Sequence, residues 1–114
     1  MRKLSLDALA REQLEVAKNS SSHRGARTVF GGHEHMLRQT LIALDAGSQL
    51  AEHDNPGEAT LHVLRGRVRL SSGEESWDGR QGDLLIVPQA PHSLEALEPA
   101  AVLLTVAKSR DRQG

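Results

Sequence analysis

Residues 47–66, GSQLAEHDNPGEATLHVLRG, decide the fold of this chain. The stretch opens on Gly47 and closes on Gly66, and it contains His53 with Asn55 two positions later. An imidazole is a common ligand for first-row transition metals. The stretch therefore raises the question of whether this chain binds a metal ion.

Composition limits the classes of protein to consider. With 114 residues the chain has room for one domain with a single core. It is 38% hydrophobic and 25% charged, which is typical of a soluble globular protein. The net charge is -1 with acidic and basic residues well mixed, so nothing indicates a nucleic-acid partner. Phe30 and Trp77 are too few to stack bases.

Cysteine is absent, which excludes disulfides, thiolate metal sites and cysteine nucleophiles. The N-terminal residues MRKLSLDALARE reach Asp7 before an apolar signal segment can develop. No apolar run approaches the roughly 18 residues that a membrane span needs. We therefore expect a cytoplasmic protein with no membrane partner.

The N-terminal part of the chain has the pattern of one amphipathic helix. Ser5 is a suitable N-cap for a helix from about Leu6 to Lys18. Its apolar residues fall on one stripe at helical spacing, namely Leu6, Leu9, Ala10, Leu14 and Ala17. Such a stripe predicts packing against a core or against a second subunit.

After the helix, short apolar and β-branched segments are separated by turn residues, which favours an antiparallel sandwich or barrel. We expect the helix and a linker in residues 1–24, the barrel in 25–108 and a polar tail in 109–114. The predicted strands are Thr28–Phe30, Met36–Leu44, Ala59–Leu64, Arg67–Leu70, Leu84–Val87, Ser93–Leu97 and Ala101–Ala107.

Gly66 separates two of these strands and predicts a bend or a hairpin. Arg65, Arg67 and Arg69 are two positions apart, which predicts that they share one face. We interpret this face as a solvated outer surface rather than an anion site.

Two motifs in the chain resemble those of the cupins. The first cupin motif runs Gly, five residues, His-x-His, three or four residues, Glu, six residues and Gly. Gly47, His53 and Gly66 are in register with it, while Asn55 stands at the second His position and Ala59 at the Glu position.

The second motif resembles residues 82–97, GDLLIVPQAPHSLEAL. Gly82 and Pro88 match, Ala90 replaces a glycine, His92 comes one residue early and Ala96 replaces the closing Asn. The resemblance implies an all-β fold, the double-stranded β-helix or jelly-roll barrel, with a short N-terminal helix outside it. It also implies an apolar interior with one open mouth, and commonly a homodimer.

Metal-bearing cupins use three His and one Glu as ligands. Of these, this chain keeps only His53 and His92, because Asn55 offers a neutral oxygen and Ala59 offers nothing. The resemblance therefore implies either no cofactor or a weakly bound divalent transition metal.

Three other residues are candidates for extra ligands, namely Glu58, His33 and His35. Glu58 is next to the Glu position, and alternation along a strand directs it to the opposite face unless a bulge at Pro56–Gly57 resets the phase. His62 is expected to point outward for the same reason. His33 and His35 would share a face on a strand, but Gly31–Gly32 predicts a turn there.

Three functions remain open. The first is a metal-poor barrel that binds a small molecule as a sensor or carrier. The second is a metal-dependent enzyme of the dioxygenase or isomerase type that uses His53, His92 and an atypical third ligand. The third is a structural module with a filled barrel. The helical stripe and open strand edges further predict a homodimer.

Overall fold

The computed structural model describes residues 1–53 and 57–108, except for the side chains of residues 52 and 53. Its backbone is mostly β-strand, with one helix near the N-terminus. The elements in chain order are α1 (Leu6–Asn19), β1 (Arg24–Phe30), β2 (Leu37–Leu44), β3 (Gln49–His53), β4 (Gly57–Arg65), β5 (Arg67–Ser72), β6 (Glu75–Arg80), β7 (Leu84–Val87), β8 (His92–Ala96) and β9 (Ala100–Lys108).

Within these residues the strands form two sheets, and every pairing between strands is antiparallel. One sheet has five strands in the order β1-β2-β9-β4-β7, and the other has four in the order β3-β8-β5-β6. Alternate side chains of both sheets, such as Leu61, Val102 and Leu70, pack into one buried cluster between them. The predicted all-β barrel is confirmed.

Helix α1 lies on the outer face of the five-stranded sheet. The Ser5 hydroxyl accepts the Ala8 N–H at 3.1 Å, so Ser5 is the N-cap that the sequence predicts. Leu9 and Ala10 pack on Leu41 and Leu103 of the sheet. The apolar stripe therefore packs against the chain's own barrel, which is the first of the two predictions made for it, packing against a core or against a second subunit. In the part of the chain that is described, no helix is long and apolar enough to cross a membrane.

Gly66 forms the corner at which the chain leaves one sheet for the other. It is the single residue between β4, in the five-stranded sheet, and β5, in the four-stranded sheet. Its φ of +74° lies in the left-handed region. Of the two structures predicted at Gly66, a bend and a hairpin, the chain forms the bend, because β4 and β5 do not pair with each other.

The three arginines around this corner do not share one face, which corrects the sequence prediction. Arg65 ends β4 and donates to Asp7 of α1, and this hydrogen bond lowers the pKa of Asp7. Arg69 donates to Asp78 on β6 at 2.7 Å and lowers the pKa of that carboxyl group. Arg67 is 3.7 Å from the same carboxylate. The interpretation as a solvated outer surface therefore holds for Arg67 and Arg69. Arg65 instead links the helix to the barrel through its hydrogen bond with Asp7.

Candidate functional site

The two motifs meet at one end of the space between the sheets. The strand that follows Gly47 is β3, and the strand that follows Pro88 is β8. These strands pair with each other, and the register sets His53 directly opposite His92. The side chain of His53 and the whole of Asn55 lie outside the described residues, so the expectation that the rings of His53 and His92 face one cavity stays a prediction.

His92 is a buried residue of the interior face of β8. Only 4% of His92 is exposed. Every second residue of β8 is buried, so His92, Leu94 and Ala96 point to the same, interior side of the sheet. Its Nδ1 is 2.8 Å from the carbonyl oxygen of Ala90. A carbonyl oxygen can only accept, so this contact favours the tautomer with the proton on Nδ1 and the lone pair on Nε2. His92 therefore has a fixed ring orientation and a defined tautomer.

Ala59 occupies the position where the family motif has its glutamate. It is 5% exposed and lies in the interior, between the cross-strand neighbours Val106 and Val87. The inward direction of this position agrees with the strand phase that the sequence predicts. The place from which a carboxylate would reach into the barrel is thus occupied by a methyl group.

The residues predicted as extra ligands lie on the outer face of β4 and in the loop between β1 and β2. Glu58 is exposed on the outer face of β4, opposite in phase to Ala59, and His62 shares that outer face. His33 and His35 are exposed in the loop between β1 and β2. The His35 ring packs edge-on against Phe30 at a centroid distance of 5.1 Å. Among the described side chains, Glu58, His33 and His35 do not form a group of three possible metal ligands with His92.

Arg38 is a further candidate site residue, which the sequence analysis does not identify. It lies directly opposite Val106 on β9, and paired residues of antiparallel strands point to the same side of the sheet. One interior row therefore runs Arg38, Val106, Ala59, Val87 across four strands. Arg38 is half-buried, and among the described side chains no carboxylate forms an ion pair with it.

A cavity of about 290 Å³ opens between the edges of the two sheets. It is bordered by β1, β2 and β3, and its walls include Thr40, Ile42 and Leu50. Thr40 and Arg38 are on the same interior side of β2, but neither Arg38 nor His92 is among the residues that line this cavity. The volume is near the lower end of the range for small-molecule sites, about 300 to 1,000 Å³.

Two facing antiparallel sheets, with the paired motifs at one end, define a jelly-roll barrel. Residues 40–107 match the family model described as Cupin domain, Cupin_2. The match covers more than half of the chain, and this chain belongs to the cupin family. A search of curated proteins finds no match.

Solved structures give the same fold. A conserved SPY1581 protein of unknown function from Streptococcus pyogenes is 27% identical, with a TM-score of 0.71 and coverage of 80% of this chain and 79% of that one. An RmlC-like cupin protein from Desulfovibrio desulfuricans is 26% identical, with a TM-score of 0.63 and coverage of 74% and 81%. Salicylate 1,2-dioxygenase from Pseudoaminobacter salicylatoxidans is 22% identical, with a TM-score of 0.70 and coverage of 90% and 31%.

Among the described side chains, the donor set at this end of the barrel lacks the carboxylate of the family's metal-binding motif. Among the residues whose side chains are described, no three His, Asp or Glu side chains form a group that could hold a metal ion. Ala59 supplies no anion, and Arg38 adds a positive charge to the same interior row. The position where the family motif supplies a carboxylate is uncharged, and the charged side chain on the same interior row is the Arg38 cation two strands away.

Proposed function

We propose that this chain is a small-molecule-binding cupin, acting as a sensor or carrier, whose barrel takes an organic anion through Arg38. The observation that supports this most is the interior row that contains Arg38 and Ala59. A guanidinium is present in the row, and the motif's carboxylate is replaced by a methyl group. This exchange inverts the preferred charge of the ligand from cation to anion.

The surroundings of Arg38 favour an anion that carries an apolar body. The neighbouring interior row contains Thr28, Thr40, Leu104, Leu61 and Leu85, and neither row includes a carboxylate. Arginine binds carboxylate groups through two parallel hydrogen bonds, and such bonds strengthen when water is partly excluded. The apolar walls would cover the rest of the ligand. A monocarboxylic acid with a small apolar group fits both features.

A metal-dependent enzyme remains the second candidate function. It is favoured by one observation, the register that sets His53 opposite His92. It would need a third donor from outside the described side chains. A cytoplasmic location and a homodimeric state also stay predictions.

The anion proposal predicts that benzoate and 2-hydroxybenzoate bind, whereas benzamide, their neutral analogue, does not. Isothermal titration calorimetry at low ionic strength measures this directly. Arg38→Met should weaken carboxylate binding by about 10- to 100-fold, because a hydrogen bond to a charged group contributes roughly 1.5 to 3 kcal/mol. Methionine keeps much of the side-chain length and removes the charge.

Arg80→Met is the matched control. Arg80 is an exposed strand residue on the outer side of β6, and its replacement removes the same charge without touching the interior. Carboxylate binding by this variant should equal that of the unmodified chain. Equal binding of benzamide and benzoate, no binding of either carboxylate, or full affinity in Arg38→Met would each contradict the proposal.

A further inference from the structure

Arg24 is a second arginine on the interior side of the five-stranded sheet. It begins β1 and lies directly opposite Leu44, a buried residue of the cluster between the sheets. Paired residues of antiparallel strands point to the same side of a sheet, so the Arg24 side chain is on the barrel side. The next position faces the helix, since a Cβ on Gly25 would lie 2.7 Å from the Gln13 carbonyl oxygen of α1.

The cavity of about 290 Å³ between the sheet edges is bordered by Arg24 at one end. Its wall continues along the inside of β1 and β2 through Ala26 and Ile42 to Thr40. The next interior position of β2 after Thr40 is Arg38. The inner side of this strand pair therefore has an apolar floor with an arginine near each end.

The described part of the chain neutralises neither of these arginines. None of the described carboxylates forms an ion pair with Arg24 or with Arg38. By contrast, Arg27 on the outer side of β1 is 3.6 Å from Glu12 of the helix. A guanidinium that faces a cavity without a carboxylate of its own chain is available to the carboxylate of a ligand.

The spacing of the two arginines limits the length of a ligand that contacts both. Arg24 is level with Leu44, and Leu44 is six positions from Arg38, which is about 20 Å along β2. Five bonds join the Cα of an arginine to its guanidinium carbon, about 6 Å at roughly 3.5 Å per three bonds. The two guanidinium groups are thus about 8 to 20 Å apart, depending on how far the side chains lean toward each other.

An eight-carbon dicarboxylate matches this spacing. Its carboxyl carbons are seven bonds apart, about 8 Å in an extended chain. A hydrogen bond of about 3 Å at each end brings the span to about 14 Å, the middle of the range. The span of a four-carbon dicarboxylate is only about 10 Å, so both arginine side chains would have to lie almost flat on the sheet.

We infer that the ligand of this barrel is an α,ω-dicarboxylate of medium chain length, with one carboxylate on Arg38 and the other on Arg24. The inference rests on the proposed function, because the anion site at Arg38 is its first half. A monocarboxylic acid satisfies Arg38 alone. The methylene chain of the dicarboxylate lies against Ala26, Ile42 and Leu50, which exclude water from it.

Isothermal titration calorimetry at low ionic strength tests the inference with octanedioate, octanoate and the monomethyl ester of octanedioate. Octanedioate should bind about 10-fold more tightly than the other two, because Arg24 is exposed and its contribution is partly screened by water. Butanedioate should bind less tightly than octanedioate. Arg24→Met should bring the affinity for octanedioate down to that for octanoate, and circular dichroism checks that the variant is folded.

Arg27→Met is the matched control, because Arg27 is on the same strand but on the opposite face, where its ion pair with Glu12 is exposed. This variant should keep the preference for octanedioate.

The outcomes separate this inference from the proposed function. If octanoate binds through Arg38 but octanedioate binds no more tightly, the inference fails and the proposed function stands. The inference also fails if Arg24→Met keeps the full preference for octanedioate, or if butanedioate binds as tightly as octanedioate. If neither acid binds, or if both bind to Arg38→Met at full affinity, the proposed function fails and the inference fails with it.

Discussion

Gly66→Ala is expected to lower the free energy of unfolding by about 3 kcal/mol or more, the sum of backbone strain and steric overlap. A Cβ atom at this position would lie 2.1 Å from the carbonyl oxygen of Pro99 and 2.9 Å from the Cα of Ala100. Both are backbone atoms, so no change of rotamer relieves the overlap. Either the corner between the sheets opens or the start of β9 moves, and Ala100 at that point is part of the core.

Gly73→Ala separates the two contributions. Gly73 also has a positive φ, +60°, but a Cβ there would meet nothing within 4 Å. This variant should therefore lose only the cost of a left-handed alanine, about 1 to 2 kcal/mol. Urea unfolding followed by Trp77 fluorescence and far-ultraviolet circular dichroism measures both variants. Equal losses of stability would show that the contact with Pro99 does not constrain the corner.

The turn pattern and strand alternation are enough to predict most of this fold. Strands with a strong apolar face, such as β4 and β9, are predicted to within a few residues. The sequence analysis misses β3 and β6, and both are edge strands of the four-stranded sheet. An edge strand has one neighbour and more solvent, so β6, with the sequence ESWDGR, carries little of the apolar alternation by which a strand is recognised.

Of the two residues on which the proposed site depends, the inward position of Ala59 is predictable from the sequence and that of Arg38 is not. The inward direction of Ala59 follows from alternation alone, because the apolar residues of β4 fall on one phase. On β2 both phases mix polar and apolar residues, since one faces the barrel and the other faces α1. Only the pairing with β9 shows that Arg38 points inward. Local sequence cannot supply this, because β2 and β9 lie far apart in the chain.

The helix also changes the basis for predicting a dimer. Its apolar stripe is one reason to expect a second subunit, yet the stripe packs on Leu41, Ala101 and Leu103 of the same chain. The apolar surface that remains is on the sheet beside the helix, at Leu84 and Ile86. The prediction of a homodimer is therefore retained on different residues from those that first suggest it.

The second large effect concerns the affinity for a divalent metal. We expect it to rise only when a carboxylate is introduced at position 59 and the positive charge of Arg38 is removed as well. The unmodified chain is expected to bind first-row metals weakly or not at all. Ala59→Glu returns a carboxylate to the interior row, but Arg38 is two strands away, roughly 10 Å between backbones. Both side chains are long enough to meet between those strands. We expect the introduced carboxylate of this single variant to form an ion pair with Arg38 and to add little metal affinity.

Ala59→Glu combined with Arg38→Met removes the competing cation and leaves the new carboxylate on the interior face of the five-stranded sheet, opposite the sheet that carries His53 and His92. A carboxylate buried without a partner is costly, and a divalent metal held with the imidazoles offsets that cost. Affinity for Ni²⁺ or Zn²⁺ should rise by at least about 100-fold over the unmodified chain, since even outer-shell partners of a metal site alter affinity by 10- to 100-fold. Calorimetric titration and metal content after dialysis measure the change.

Thr60→Glu with Arg38→Met is the control, because it adds the same charge one residue along β4 on the outer face. It should bind metal no better than Arg38→Met alone. If it binds as well as the Ala59→Glu pair, the carboxylate acts through overall charge rather than through its place in the interior row. Stoichiometric metal that survives dialysis of the unmodified chain would contradict the weak-binding prediction itself. The metal-dependent enzyme would then become the favoured function, and the search for its third ligand would begin at Glu58, His33 and His35.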